Sequence, residues 1–213
     1  LGRWIVRMAR QRWDVTASYL SSRVGDENVN WQRLDVRDRF AVLALVEEAQ
    51  PMVIVHTAAL NPGRGDDFAG VNGVGTRNVA EAASAVGAHL VHISTDVLFD
   101  GQKGNYVEED APSPITPYGR SKALAEREVR ASGAQSIIVR TSLIYGPSAS
   151  SWERFGRRAS WEHWDRQTSW VVGDLIAGET VRLFTDERRC PMWAPSLASA
   201  LLELAERPVL TRQ

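Results

Sequence analysis

Segments typical of β-strands alternate with segments of helical periodicity along most of this 213-residue chain. Four predicted strands lie at residues 15–20, 52–56, 90–94 and 137–141, and the predicted helices lie at 39–49, 75–85 and 118–132. The run at 52–56 is apolar and rich in β-branched residues, which is typical of a strand buried on both faces of a parallel sheet. Because strands and helices take turns, the sequence predicts an α/β fold with a doubly wound parallel sheet.

The two ends of the chain depart from this alternation. Leu1-Gly2 leads directly into a segment of helical periodicity, so a first strand and most of a glycine-rich phosphate-binding turn are missing. Residues 148–170 carry four tryptophans among arginines, and a helix, a strand at 181–184 and a helix at 197–206 are predicted after them. We therefore expect a fragment of a longer protein, one that lacks its first strand and that binds a dinucleotide poorly by itself.

Composition excludes several classes of protein. Apolar types make up 44% of the chain and charged types 24%, as in globular proteins with a core. The 25 Lys and Arg residues nearly balance the 26 Asp and Glu residues, which argues against nucleic acid or an anionic membrane as a partner. Cys190 is the only cysteine, no apolar run could cross a bilayer, and the four scattered histidines give no metal-ligand spacing. The sequence therefore predicts a cytoplasmic protein without a metal site.

Two residues with acid–base chemistry lie one turn apart at the start of a predicted helix. Thr116 suits an N-cap and Pro117 suits the first helical position, so Tyr118 and Lys122 should share one face. An ammonium one turn away favours the phenolate and makes proton donation to a carbonyl easier. The alternative is a surface tyrosine beside a solvated lysine. The chain has only two lysines, which strengthens the catalytic interpretation.

A second candidate segment follows the predicted strand at 90–94. Ser94, Thr95 and Asp96 place two hydroxyls and a carboxylate at the carboxyl edge of the sheet, where open α/β sheets bind ligands. A hydroxyl there could stabilise the developing negative charge on a substrate carbonyl. The alternative is that these residues only cap and turn the chain. Since the helix of Tyr118 would begin on the same rim, the two segments together favour a catalytic site.

Four motifs in order resemble an extended short-chain dehydrogenase/reductase, in the branch of dTDP-4-dehydrorhamnose reductase. They are Ser94-Thr95-Asp96-x-x-Phe99-x-Gly101, Tyr118-Gly119-x-Ser121-Lys122, Arg140-Thr141-Ser142-x-x-Tyr145-Gly146 and Asp186-Glu187-x-Arg189-x-Pro191. The resemblance implies a Rossmann-like NADP-binding core at 1–147 and a substrate-binding part at 148–213. It also implies that Tyr118 donates a proton, that Lys122 holds the nicotinamide ribose and tunes Tyr118, and that Thr95 orients the keto oxygen. Val97, where these reductases often have tyrosine, is a departure.

The same resemblance implies further site residues. Gly2 would be the last step of the phosphate-binding turn, Asp35 and Val36 would flank the adenine, and Ala58 and Ala59 would pack beside the cofactor. Asp96, Ser142 and Arg189 are the residues expected to contact the substrate, whereas His56 and His92 are expected in the core or at strand ends.

The cofactor preference is predicted from the residues that follow the strand at 15–20. NAD sites place an acid there for the ribose 2′-hydroxyl, whereas NADP sites use an arginine for the 2′-phosphate. No acid lies between this strand and Asp26, so Ser21 and Arg23 are expected on the phosphate of NADP(H), with NAD(H) as the alternative.

Three functions stay open at this point. The first is an NADP-dependent reductase of a keto group on a nucleotide-linked sugar or similar substrate. The second is a non-catalytic regulatory subunit, like the beta subunit of methionine adenosyltransferase. The third is a sugar-nucleotide epimerase or dehydratase, which retains the hydride. Whether the protein forms a homodimer also stays open, and proteins of the family commonly pair through the helices that correspond here to about 73–86 and 118–132.

Overall fold

A computed structural model describes residues 1–21, 29–147, 169–182, 185–186 and 188–207. It divides into two compact units. Unit 1 comprises Leu1–Val15 and Ser142–Leu202, and unit 2 comprises Thr16–Thr141 and Glu203–Gln213. The functional division expected at residue 147 stays a prediction. Within the described ranges, no helix is long and apolar enough to cross a membrane.

Unit 2 contains two parallel sheets with helical crossovers. Strands β1 (Thr16–Tyr19) and β2 (Asn30–Arg33) form one sheet, and β4 (His89–Thr95) lies between β3 (Val53–His56) and β5 (Ser136–Thr141) in the other. The crossover helices are α2 (Arg39–Ala49), α3 (Gly75–Val86) and α4 (Pro117–Ala131), and a π-helical turn, Ala69–Val74, precedes α3. The predicted α/β class with parallel strands is confirmed.

Burial differs sharply between neighbouring strands of the larger sheet. All seven residues of β4 are buried, whereas three of the four residues of β3 are only half-buried. Met52, predicted as part of that strand, lies before it and is 83% exposed. The prediction of a strand buried on both faces was therefore wrong for 52–56, because β3 lies at the edge of this sheet and β4 lies at its centre.

The core of unit 2 forms where α2 and α3 pack against the larger sheet. Small side chains on α3 let the helices approach closely, and the buried cluster comprises Val36, Val42, Val46, Val79, Ala80, Ala82, Ala83, Ala88, Leu90 and Val129. Helix α2 begins where predicted because the Asp38 carboxylate accepts hydrogen bonds from the backbone N–H groups of Phe40 and Ala41. It ends where Gln50 takes a left-handed conformation with φ of 41° and Pro51 follows.

Helix α4 carries the candidate acid–base pair, and its first turn is set by its own sequence. The Thr116 hydroxyl accepts a hydrogen bond of 2.9 Å from the Gly119 N–H, and Pro117 occupies the first turn, as predicted. A Cβ at Gly119 would collide with the carbonyl oxygen of Val97. Glycine there lets α4 approach the short 3₁₀ helix Asp96–Leu98, which continues directly from β4.

Unit 1 consists of α1 (Gly2–Ala9), the short paired strands β6 (Ile144–Tyr145) and β7 (Met192–Trp193), α5 (Ser169–Ile176) and most of α6 (Ala194–Glu206). The Trp4 indole N–H donates to the carbonyl of Pro147 at 3.0 Å, which ties α1 to the end of β6. Residues 181 and 182 of the strand predicted at 181–184 are not in a strand, and 183–184 lie outside the described residues. Most of the tryptophan-rich stretch also lies outside them.

Candidate active site

The candidate site in unit 2 forms where β4 ends and α4 begins. Thr95 is the last residue of β4 and is buried, and its hydroxyl accepts from the Val97 N–H at 3.2 Å and donates to the Asp96 carboxylate at 3.3 Å. Tyr118, in the first turn of α4, lies close enough to Thr95 for the Thr95 hydroxyl to lower the pKa of Tyr118. The structure thus brings Thr95, Asp96 and Tyr118 together, although they come from different segments of the sequence.

The surroundings of Tyr118 keep its hydroxyl protonated. Burial raises the pKa of Tyr118, its hydrogen bond with Thr95 acts in the opposite direction, and the charge of Asp96 raises it further. Phe68 packs edge-on against the ring, with 6.1 Å between the ring centres. The sequence predicts a lowered pKa for Tyr118, but burial is the largest influence and the pKa is raised.

Lys122 lies one turn further along α4 and points into the sheet. Its ammonium donates to the carbonyl of Ile93 at 2.6 Å and lies 3.4 Å from Nε2 of His92. Burial lowers the pKa of Lys122 to about 8, and the negative charge of Glu126 opposes that shift. At neutral pH the buried side chain is therefore mostly an ammonium.

Two buried histidines lie behind Lys122. His56 on β3 and His92 on β4 occupy paired positions in the sheet, and their rings stack with centres 5.4 Å apart. Burial, and then the charge of Lys122, lowers the pKa of His56 to about 3 and the pKa of His92 well below its usual value. Both are buried at strand positions, as predicted, but the contact of His92 with the lysine was not foreseen.

Asn72 connects the loop after β3 to the start of α4. Its side-chain oxygen accepts from the Leu60 N–H at 2.7 Å, and its amide nitrogen donates to the Leu60 carbonyl at 3.0 Å and to the Ser121 hydroxyl at 2.9 Å. Ser121 in turn donates to the backbone carbonyl of Tyr118 at 2.7 Å. Asn72 lies in the π-helical turn, a distortion that is frequent at functional sites.

The residues expected beside the adenine have different surroundings from each other. Asp35, which follows β2, binds the guanidinium of Arg37 through both carboxylate oxygens, and these hydrogen bonds lower the pKa of Asp35. Arg37 also binds Asp67 at 3.0 Å. The Val36 side chain is in the core, and its carbonyl accepts a hydrogen bond from the Asn78 amide at 2.9 Å.

The remaining predicted residues are distributed over both units. Ala58 is exposed and Ala59 half-buried in the loop after β3, and Ser21 is exposed after β1, whereas Arg23 lies outside the described residues. In unit 1, Gly2 begins α1, Ser142 is half-buried after β5, and Arg189 is exposed. Across the residues that the structure describes, no group of His, Cys, Asp and Glu could hold a metal ion.

The donor set of α4 suits a ligand with neighbouring hydroxyls. An ammonium has three N–H donors, and within the described residues Lys122 meets one carbonyl and one histidine nitrogen, so a third donor remains. The Tyr118 hydroxyl is presented one turn earlier on the same helix. These groups fit the ribose next to a nicotinamide ring, and Ala58 and Ala59 follow β3 at the same edge of the sheet.

Parallel strands, crossover helices and a tyrosine–lysine pair at the carboxyl end of the central strand define the class of short-chain dehydrogenase/reductase-like folds. The chain belongs to the RmlD substrate binding domain family, whose model matches residues 1–213. The resemblance inferred from the four motifs is thereby confirmed.

Two curated relatives illustrate the range of the family. The probable low-salt glycan biosynthesis reductase Agl14 of Haloferax volcanii is 29% identical over 215 residues, which is 98% of this chain and 68% of the relative. Methionine adenosyltransferase 2 subunit beta of Rattus norvegicus is 35% identical over 121 residues, which is 54% of this chain and 36% of the relative. The aligned part of this chain thus spans between about a third and two thirds of these relatives' length.

Solved structures show the same fold. The hypothetical dTDP-4-dehydrorhamnose reductase from Sulfolobus tokodaii has a TM-score of 0.75 and 31% identity, and the match covers 95% of this chain and 67% of that one. The Bordetella bronchiseptica enzyme WbmG, in complex with NAD and UDP, has a TM-score of 0.77 and 20% identity over 98% of this chain and 66% of its own. The second likeness concerns the fold alone.

Proposed function

We propose that the protein reduces a keto group on a nucleotide-linked sugar, or on a similar polar substrate, with NADPH. The observation that carries this proposal is the cluster of Thr95, Tyr118 and Lys122 at the end of the buried strand β4. Family membership and the reductase names of relatives support it. A bound dinucleotide supplies the hydride in such a reaction.

The residues of this chain would supply the proton and the positioning. Tyr118 is the proton donor, since its hydroxyl is protonated at neutral pH and lies beside Thr95. The Thr95 hydroxyl lies beside Tyr118 and orients the keto oxygen, on which negative charge develops. Lys122 carries a positive charge one turn away, binds ribose hydroxyls, and stabilises the phenolate that remains after the proton has left.

The other expected residues complete the proposed site. Ser21 and Arg23 would bind the 2′-phosphate, and Gly2, Asp35, Val36, Ala58 and Ala59 would contact the rest of the dinucleotide. Asp96, Ser142 and Arg189 would contact the substrate, and Asp96 is supported by its hydrogen bond with Thr95. The cytoplasmic location and the homodimer stay predictions, which cell fractionation and sedimentation would test.

The decisive test is turnover of the full-length protein with a panel of nucleotide-linked keto sugars. Net oxidation of NADPH, followed at its absorbance band, with an alcohol product would support the reductase. Interconversion of sugars without net oxidation would identify an epimerase instead. Tight binding of NADPH without any turnover would favour a regulatory role, such as the name of the methionine adenosyltransferase relative suggests. Equal affinity for NADPH and NADH would contradict the predicted cofactor preference.

A further inference from the structure

A fully buried carboxylate lies on α4 one turn beyond Lys122. Glu126 accepts hydrogen bonds from Arg140 at both oxygens, with 3.0 Å from Nε to Oε1 and 2.9 Å from Nη2 to Oε2. Arg130 donates to the same Oε2 at 3.0 Å. The two arginines differ in exposure, since the side chain of Arg140 is 16% exposed and that of Arg130 is 56% exposed. Arg140 is thus the interior partner of Glu126, and Arg130 is the surface partner.

Arg140 also reaches the segment that connects β4 to α4. Its Nη1 donates to the carbonyl of Glu108 at 3.1 Å, and its guanidinium lies over the Phe99 ring at 5.2 Å. Phe99 stacks on Tyr106, with ring centres 4.1 Å apart. One side chain of β5 therefore contacts both α4 and the segment 99–110, which connects β4 to α4.

A buried ion pair is by itself weak evidence for a special role, because apolar residues of similar volume can stabilise a fold equally well. The position of Glu126 makes this pair different. Lys122 faces Glu126 and Tyr118 on its own helix, His92 on β4, and His56 behind His92 on β3. The histidines are neutral near pH 7 and Tyr118 is protonated, so Glu126 is the anion that acts on the lysine.

We propose that Glu126 and Arg140 are positioning residues. Arg140 keeps Glu126 ionised, and Glu126 keeps Lys122 in its ammonium form. Burial disfavours the charge of Glu126, but hydrogen bonds from Arg140, with Arg130 contributing, leave its pKa below the usual value. The importance of this arrangement for catalysis rests on the proposed function. The effect of Glu126 on the charge state of Lys122 is independent of that function, so the charge state and the catalytic role can be tested separately.

Lys122 can be titrated directly by NMR, because only Lys103 competes for the signal of ¹³C-labelled lysine within this sequence. Lys103 is exposed and paired with Asp110, so it serves as an internal reference. In the full-length protein, with signals assigned by lysine replacement, Glu126→Gln should lower the pKa of Lys122 by about one unit. In Glu126→Asp, which retains the negative charge, the pKa of Lys122 should stay close to its value in the parent protein. An unchanged pKa in Glu126→Gln would overturn the proposal.

The two arginines provide a matched pair of variants. Arg140→Met leaves Glu126 without its interior partner, so the carboxyl should become protonated and the titration of Lys122 should shift as in Glu126→Gln. Arg130→Met removes only the surface partner and should leave the titration unchanged. Equal shifts in the two variants would contradict the assignment to Arg140. If Glu126→Gln fails to fold, Arg140→Met against Arg130→Met still decides the question.

Turnover then shows whether this positioning serves catalysis. If the proposed reduction is observed, the alkaline limit of its pH profile should move to lower pH in Glu126→Gln, together with the NMR titration of Lys122. A uniform loss of turnover at every pH, without a shift of that limit, would mean a merely structural role. If the parent shows no turnover while the titration shifts as expected, the proposed function fails and the positioning of Lys122 stands.

Discussion

The two parallel sheets of unit 2 differ in how exposed the charged side chains beside them are. Around β4, Lys122 and Glu126 are buried, and each has a defined partner in the interior. Beside β2, the Asp35–Arg37–Asp67 pairs lie on the surface, with side chains between 32% and 51% exposed. Exposed ion pairs contribute little to stability, whereas a buried charge without its partner is strongly destabilising. We therefore expect changes around β4 to abolish function, and changes beside β2 to adjust affinity.

The largest effect is expected for Tyr118→Phe. The replacement keeps the ring, including its contact with Phe68, and removes only the hydroxyl that would donate the proton. Turnover should fall at least about 100-fold, the usual scale for general acid catalysis, while NADPH affinity changes little. Steady-state kinetics and fluorescence titration measure the two quantities. Turnover close to that of the parent would remove Tyr118 from the proposed mechanism.

Lys122→Arg should reduce turnover by between about ten- and a hundredfold although the charge is retained. A planar guanidinium cannot replace a compact ammonium among ribose hydroxyls, and it overfills a buried site against Ile93 and His92. The same kinetic assay tests this, with Lys103→Arg as the control at an exposed lysine. An active Lys122→Arg enzyme would show that the charge alone is sufficient.

Acid should destabilise the fold through the buried histidines. Folded His56 has a pKa of about 3, and the unfolded chain binds its proton near pH 6.5, so stability is complete above that pH and falls as pH decreases. At pH 5 the loss from His56 alone is roughly 2 kcal/mol. Urea denaturation at pH 7.5 and at pH 5 should show this loss of unfolding free energy. In His56→Gln the difference in unfolding free energy between the two pH values should be smaller. Carboxylates with lowered pKa values titrate below this window. The same difference in both proteins would argue against His56 as the source.

Arg23→Ala should weaken NADPH by about tenfold and leave NADH nearly unchanged. This follows if Arg23 makes a charge-assisted hydrogen bond to the 2′-phosphate, a contact of the size expected for ionised partners. Fluorescence titrations with both cofactors provide the comparison. If both affinities fall equally, Arg23 acts on the fold and not on the 2′-phosphate.

The smallest effect is expected for Arg37→Ala, on the surface beside β2. Its ion pairs with Asp35 and Asp67 are exposed to solvent and are screened by salt. The melting temperature should change by less than about 2 °C. Asp67→Ala, which also removes the hydrogen bond to the Gly70 N–H, provides a comparison on the same pair. A larger change in melting temperature for Arg37→Ala would mean that the exposed ion pairs beside β2 contribute more to stability than their exposure indicates.

Local sequence determined the elements whose signals lie within a few residues of each other. Helix α2 begins after the cap of Asp38 and ends before Pro51, and α4 begins at Thr116 and Pro117, as predicted. The one-turn spacing of Tyr118 and Lys122 follows from helical geometry alone. In contrast, β2, β6 and β7 were not predicted, because β2 is mostly polar and strands of two residues carry too little periodicity to recognise.

Only the tertiary structure decided what surrounds the reactive side chains. The partners of Lys122 are Ile93, His92 and, through its charge, Glu126, and the interior partner of Glu126 is Arg140 on another element. The raised pKa of Tyr118 likewise reflects burial, which reversed the effect expected from the lysine. Propensities and caps act over about one turn, whereas burial and charge pairing depend on elements far apart in the chain. The sequence by itself thus determined which reactive groups this protein carries, and packing decided their protonation states.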